Sequence, residues 1–433
     1  MFTYVNTLTK LNFSQHEVNL LTQYVDHYLI SLIDGLRQSS FGLDTLVRTA
    51  NSIEKLHKKF EGNKWMIDSG GYSIIVGDVS PRDMSKFLEC YMYYLKTFAN
   101  EYCDYILSLD IPILLKYPEY NTVKFIKEMN YASCSRSKEI LDTNKELYNK
   151  FIFVWQFKTP KQFQIWCEVY DEIFSKAPIK HFAIGGMVGL RGITGITFSP
   201  FIGGCYQIMN LILEKNMNCE HIIHLLGVYG LHDRFLMGIF DKLFNTYLKG
   251  QDSVKITFDT VNHMISGLYK IRELKSVIIG ENRVIYDYNH LLINKFHLLI
   301  ENDNTLKAVQ KNLQNILDDK KIEDTSVVAT LEVIKNQIFN RIMDGAIEHY
   351  KIVDLFIESQ NYNKFKNKFS PIYLQLEKDF PYIFGNRMNK IMLNFQYVYA
   401  FHDWWKQGRD PKRLKIMMDK FIKMINFPSD LAD

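Results

Sequence analysis

KWMIDSGGYS occupies residues 64–73. An apolar run of strand length ends on Asp68 and is cut at once by Ser-Gly-Gly, residues that favour a turn. The same layout recurs in DYILSLD (104–110), FIFVWQF (151–157), HFAIGG (181–186), IIHLLGV (222–228) and VKITFD (254–259), with YLISLI (28–33) opening the series. Amphipathic stretches of helical length separate them, among them PRDMSKFLECYMYYLKTF, NTVKFIKEMNY, PKQFQIWCEVYDEIF, CYQIMNLILEKN and DRFLMGIFDKLFNTYL, several opened by Pro or Asp. This alternation is the rhythm of repeated βα units, with helices packed outside a parallel sheet.

SVIIGENRVIY (276–286) supplies a plausible eighth strand. The fold class predicted is therefore α/β, a (β/α)8 TIM-like barrel of the ~250 residues that architecture needs, with an α-helical C-terminal region. An open doubly wound sheet is the alternative. The barrel is preferred because polar or glycine residues end strand after strand on the side where a barrel gathers its catalytic groups. Asp68, Asp110, Gln156, Gly185, Gly227 and Asp259 would then meet at one mouth. The reading sets residues 1–24 apart as an N-terminal extension, 25–286 as the barrel and 287–433 as a separate α-helical region.

The 433 residues are 47% hydrophobic and 23% charged, which suits a folded globular chain and excludes wholesale disorder. Lysine plus arginine is 52 against 48 acidic residues, so the net charge of +4 does not by itself announce a polyanion partner. Local charge does: NYNKFKNKF (361–369) and WWKQGRDPKRLK (404–415) interleave basic and aromatic residues, and Lys364, Lys366, Arg409, Lys412 and Arg413 are candidates for phosphate contacts. Solvated helix faces are the plainer reading of the same residues. Cysteines 90, 103, 134, 167, 205 and 219 form no CxxC pair, which predicts reduced thiols in a cytoplasmic protein. No apolar run reaches ~18 residues and the N-terminus lacks a secretory layout, so neither a membrane span nor export by that route is expected. Frequent Asn, Lys, Ile, Tyr and Phe suit an AT-rich coding genome, viral or low-GC bacterial.

There is no GxxxxGK[ST], no GxGxxG after a strand and no HExxH. What remains is a series of carboxylates, an amide and glycine backbones at strand ends. Taken singly, DSGG is turn chemistry, Asp110 and Gln156 are helix caps, AIGGMVGLRG (183–192) is a tight turn, LLGVYG (225–230) an apolar and glycine surface, and Asp259 in ITFDTVNH (256–263) another cap.

Taken in order, these segments resemble the tRNA-guanine transglycosylase superfamily, whose barrel carries DSGG[FY], a strand-end Asp, a VQGG-like strand, a GG[LM] turn, an LMGVG-like strand and FD.V. The likeness spans about residues 64–263. It implies that Asp259 is a nucleophile and Asp68 a general acid/base. It implies further that Asp110 reads the amino and ring N–H edge of guanine, that Gln156 with Gly185, Gly186 and Met187 satisfies the carbonyl oxygen, and that Tyr72 and Leu226, beside Gly227, sandwich the base. No cofactor is implied. The family's zinc site is unsupported, because no cysteine follows Cys219 and Asn262-His263 stands where tRNA-exchanging members carry PTR.

Those departures and the helical C-terminal region are similar to the DNA-modifying branch, with phage members the nearest likeness. The implied reaction replaces guanine in DNA by a free 7-deazaguanine base such as preQ0, in the host bacterial cytoplasm if the protein is phage-encoded, protecting viral DNA from restriction. tRNA as the polymer, or a non-catalytic nucleic-acid-binding subunit, are the competing readings. Oligomeric state is open.

Overall fold

The computed structural model describes residues 3–227 with short breaks, the widest at 187–197, then 240–241, 244, 253–259, 277–279 and 283–285, and positions between 355 and 417 that run unbroken over 358–379. Its centre is an all-parallel curled sheet of the TIM-like kind. The strands are β1 (Thr3–Tyr4), β2 (Asn6–Leu8), β3 (His27–Ser31), β4 (Lys64–Asp68), β5 (Tyr105–Leu107), β6 (Phe151–Gln156), β7 (His181–Gly185), β8 (Glu220–Leu225) and β9 (Ser253–Phe258). They lie in the order β1-β9-β8-β7-β6-β5-β4-β3-β2. Thr3 and Tyr4 pair with Thr257 and Phe258, while Asn6, Thr7 and Leu8 pair with Tyr28, Leu29 and Ile30. The Val5 N–H between them donates to the Phe258 carbonyl at 2.9 Å. Both ends of the strand order thus belong to one N-terminal segment.

Two expectations are corrected here. Residues 276–286 contribute no strand to the sheet: β10 (Val277–Ile279) and β11 (Arg283–Ile285) pair antiparallel with each other. An apolar run sets strand length but neither partner nor direction, and two segments paired antiparallel with each other add no strand to the parallel sheet. The place beside β9 and β3 is taken by residues 3–8, which had been set apart as an extension. The strand read over 104–110 is also shorter: β5 stops at Leu107, the Ser108 N–H still reaches the Ile152 carbonyl, and from Leu109 on the backbone bonds to side chains of the helix over 123–143.

Helices follow the strands: α1 (Gln15–Thr22), α2 (Leu32–Leu36), α3 (Leu43–Lys59), α4 (Gly71–Ile75), α5 (Met84–Thr97), α6 (Ala99–Tyr102), α7 (Val123–Thr143), α8 (Pro160–Phe174) and α9 (Phe198–Lys215). Thr122 caps α7 by accepting the Phe125 N–H at 3.2 Å, and Pro160 opens α8, where a missing N–H costs nothing.

Alternation along the strands sorts their residues into two packed sets. Trp65, Ile67, Phe153, Trp155, Phe182, Ile184 and Ile223 are buried between sheet and helices, with Trp155 stacked on Phe182 at 5.4 Å between ring centroids. Val5, Leu29, Met66, Leu107, Ile152, Val154, Ala183 and Ile222 form a separate apolar plug on the inner face. In the C-terminal region, α10 (Tyr362–Asp379) turns Phe365 and Phe369 against Phe356 and Phe395, leaving Lys364 and Lys366 exposed. Among the described residues no helix is long and apolar enough to cross a membrane, and none of the six cysteines is in a disulfide.

Candidate active site at the strand ends

The inner-face plug determines what lies above it. Two residues beyond Val5, Leu29, Met66, Val154, Ala183 and Ile222, and so on the same face, come Thr7, Ser31, Asp68, Gln156, Gly185 and His224. Asp259 follows Thr257 by the same step. An apolar floor is thus topped by a polar layer at the C-terminal ends of parallel strands, where loops and catalytic groups gather in such folds.

Asp259 is 6% exposed and held from three sides. Its backbone N–H reaches the Leu225 carbonyl at 3.3 Å, continuing the β8–β9 ladder one step past the strand. Oδ1 accepts the Gly227 N–H at 3.0 Å and Oδ2 accepts the Thr7 hydroxyl at 3.2 Å. The Nε2 of His224 stands 3.4 Å from Oδ1. Asp68, half-buried, is paired in register with Ser31 at the end of β4.

Asp110 is 2% exposed and sits three residues past β5, on a segment clamped by α7. Asn130 accepts the Ile111 N–H at 2.7 Å and donates to its carbonyl at 3.1 Å, and Ser133 donates to the Leu109 carbonyl at 2.8 Å. The Ser108 hydroxyl accepts the Val154 N–H at 2.9 Å, replacing a backbone ladder partner. Ser69 donates to Asp110 Oδ1 at 3.2 Å, while Oδ2 is buried without a hydrogen-bond partner. The Gly71 backbone lies so close that a Cβ there would stand 3.0 Å from Oδ2. Burial pushes the Asp110 carboxyl up to about 7, against the opposing pull of its own backbone N–H and the Ser69 hydroxyl.

Gln156 ends β6 opposite Gly185, 7% exposed, with Oε1 lacking a partner. A Cβ at Gly185 would overlap that oxygen, so glycine is what lets the amide lie across β7. Gly186 follows at φ +85°, left-handed backbone that glycine adopts without strain. The Leu226 N–H donates to the Ile184 carbonyl at 3.0 Å, which lays Leu226 beside Gly185 above the plug.

Asp68, Asp110, Gln156, Gly185, Gly186, Leu226, Gly227 and Asp259 therefore share one end of one sheet. Tyr72 falls in α4, though its side chain, like Met187 and Arg409, lies outside the described residues. Lys364, Lys366, Lys412 and Arg413 are exposed in the C-terminal region, where the Arg413 guanidinium meets Gln407 Oε1. Thr7, Ser31, Ser69 and His224 join the site without having been singled out from sequence. Counting back two residues from Leu226 would have found His224. Among the described residues, four buried polar atoms at this end, Ser31 Oγ, Asp110 Oδ2, Gln156 Oε1 and His224 Nε2, have no hydrogen-bond partner. Buried polar groups are ordinarily bonded, which makes this layer the candidate site. No family model matches the chain, and no curated protein is significantly similar to it.

Proposed function

We propose that this chain is a DNA-guanine transglycosylase that exchanges guanine in DNA for a 7-deazaguanine base of the preQ0 type. We propose also that its sheet is a complete (β/α)8 barrel in which residues 3–8 are the eighth stave; the pairing of that segment with both β9 and β3 supports this. The observation that carries the functional reading is the strand-end layer itself. Two inward carboxylates, Asp68 and Asp259, stand at the same end of the sheet as a desolvated acid, Asp110, and an amide, Gln156, each with an unpartnered oxygen.

The chemistry asks for those groups. Asp259 attacks C1′ of the target deoxyribose; the C1′–N9 bond breaks with its electron pair on N9, and Asp68 delivers a proton to the departing guanine. The incoming base then loses its N9 proton to Asp68, and N9 attacks C1′ and displaces the Asp259 carboxylate. Two inversions give net retention, as in retaining glycosidases. Proton transfer by a placed carboxylate contributes about 10²–10⁴-fold.

Ionised Asp110 accepts two N–H groups from the guanine edge, and the Gln156 amide, turned to present Nε2, donates to the carbonyl oxygen beside Gly185, Gly186 and Met187. Adenine offers the opposite order and would leave those buried groups unpaired. Tyr72 and Leu226 take the faces of a base swung out of the duplex, offsetting the few kcal/mol that unstacking costs. DNA is favoured over tRNA by the absence of the zinc ligands and by the basic, aromatic C-terminal region.

Mass analysis of nucleosides tests this. DNA and, separately, tRNA are incubated with the full chain and preQ0, then digested. Modified deoxyguanosine from wild type, and none from Asp259→Ala, is the expected result. Modified guanosine in tRNA alone would move the assignment to the RNA substrate, and no modified nucleoside in either would overturn base exchange.

A further inference from the structure

His224 has no solvent exposure, and its Nδ1 lies 2.9 Å from the Thr257 hydroxyl. Among the described residues Nε2 has no hydrogen-bond partner, and it stands 3.4 Å from Asp259 Oδ1, a few tenths of an ångström beyond a formed bond. Were the ring proton on Nδ1, the Nε2 lone pair would face a carboxylate oxygen in a buried site, and like would repel like. With the proton on Nε2, Nδ1 accepts from Thr257 and the ring N–H faces Oδ1.

The two oxygens of Asp259 are consequently unlike. Oδ1 takes the Gly227 N–H at 3.0 Å and faces His224. Among the described residues, Oδ2 takes only the Thr7 hydroxyl, at 3.2 Å. We propose that His224 is a positioning residue that, held by Thr257 as its Nε2–H tautomer, reserves Oδ1 as the charge-bearing oxygen of Asp259 and leaves Oδ2 to form the bond to the sugar; the proposal rests on the transglycosylase reading of Asp259.

The consequence is a division between the two displacements. In the first, the C1′–N9 bond breaks, C1′–Oδ2 forms, and Oδ1 becomes the carbonyl oxygen of an aspartyl ester. In the second, N9 of the incoming base bonds to C1′ and the C1′–Oδ2 electron pair returns to the carboxylate. That charge spreads onto Oδ1, where the Gly227 and His224 N–H groups receive it. Donors that strengthen where charge develops act mainly on that step. Losing His224 should therefore slow release of the ester more than its formation.

Two measurements on the full chain test this. In ¹⁵N-histidine NMR, with the His224 signals identified by their loss in His224→Gln, the wild type should show a protonated Nε2 and a bare Nδ1. Thr257→Val, which keeps the shape and removes the hydroxyl, should shift the tautomer balance. In single-turnover reactions on DNA with preQ0, quenched in denaturant, His224→Leu should accumulate the covalent DNA adduct. Its breakdown should be slower by about 10²-fold, the loss typical of one such donor, and its formation nearly unchanged. His224→Gln, which retains a donor N–H, should recover most of the rate. An Nδ1–H tautomer, equal slowing of both steps, or no rescue by glutamine overturns the role of His224 while leaving base exchange intact. Absence of an adduct in both the wild type and His224→Leu, together with no modified deoxyguanosine from the wild type, overturns both.

Discussion

Thr7 donates its hydroxyl to Asp259 Oδ2 at 3.2 Å, joining residues 252 positions apart. Strand β2, near the start of the chain, is therefore tied directly to the polar layer at the strand ends. Thr7→Val keeps the β-branched shape that the inner face packs and removes the hydroxyl. A hydrogen bond to a charged group contributes about 1.5–3 kcal/mol, so urea unfolding should show a loss in that range with an unchanged m-value. A loss below about 0.5 kcal/mol would mean that the contact contributes no stability.

Asp110 predicts two pH trends of opposite sign. Its carboxyl is raised from 3.8 to about 7 by burial, so the folded state keeps a proton that the unfolded chain releases. Its contribution to stability is fully present below about 4 and is lost as pH rises toward 7. At 1.36 kcal/mol per pH unit, going from pH 5 to pH 8 should cost the wild type roughly 3 kcal/mol relative to Asp110→Asn. Urea midpoints of both proteins at the two pH values measure this. Guanine affinity should run the other way, rising through pH 7 as the carboxylate becomes able to accept both N–H groups, and be lost in the Asn variant. Parallel stability profiles for the two proteins would show that Asp110 is not held neutral.

The sheet was largely readable because strands buried on both faces appear as unbroken apolar runs; β4, β6, β7 and β9 end within a residue of their runs, and β8 stops at Leu225, three residues short of its run. Residues 3–8 escaped because a short terminal strand gains its place from partners at 28–30 and 257–258, which no local pattern records. The 276–286 run misled for the converse reason: its apolar content fits a strand, and only the antiparallel pairing of Val277–Ile279 with Arg283–Ile285 keeps it out of the parallel sheet. Asp110 could be picked out as a strand-end residue, yet its burial and its clamp by Asn130 and Ser133 depend on how α7 docks. His224 looks like one polar residue in an apolar strand until register places it on the inner face beside Asp259.

Lys364 and Lys366 are exposed on a helix whose opposite face is packed through Phe365 and Phe369. Replacing both by alanine should leave that packing and the thermal unfolding midpoint unchanged. If each meets a DNA phosphate, the slope of log K against log salt should flatten by about one unit per lysine. Filter-binding or anisotropy titrations between 50 and 200 mM salt measure it. An unchanged slope would return these residues to the role of a solvated helix face.

Gly185 offers the sharpest test of the pocket wall. Its missing side chain is what lets the Gln156 amide lie across β7, and a methyl there would occupy the space of Gln156 Oε1. Gly185→Ala sits in a strand, where alanine is a better tolerated residue than glycine, so the backbone should accept it and the amide should be the part that moves. Guanine and preQ0 both present a carbonyl oxygen to that amide, and a group built to bond it discriminates by 10⁴–10⁵-fold when the bond is possible. The variant should thus fold, with a circular dichroism spectrum like that of the wild type. It should still hold Asp259 and Asp68 in place and exchange base at a rate lowered by about 10²-fold or more, with the loss appearing in KM for the free base as well as in kcat. Unaltered kinetics in a folded Gly185→Ala protein would mean that Gln156 does not meet the base, and would remove one wall of the proposed pocket.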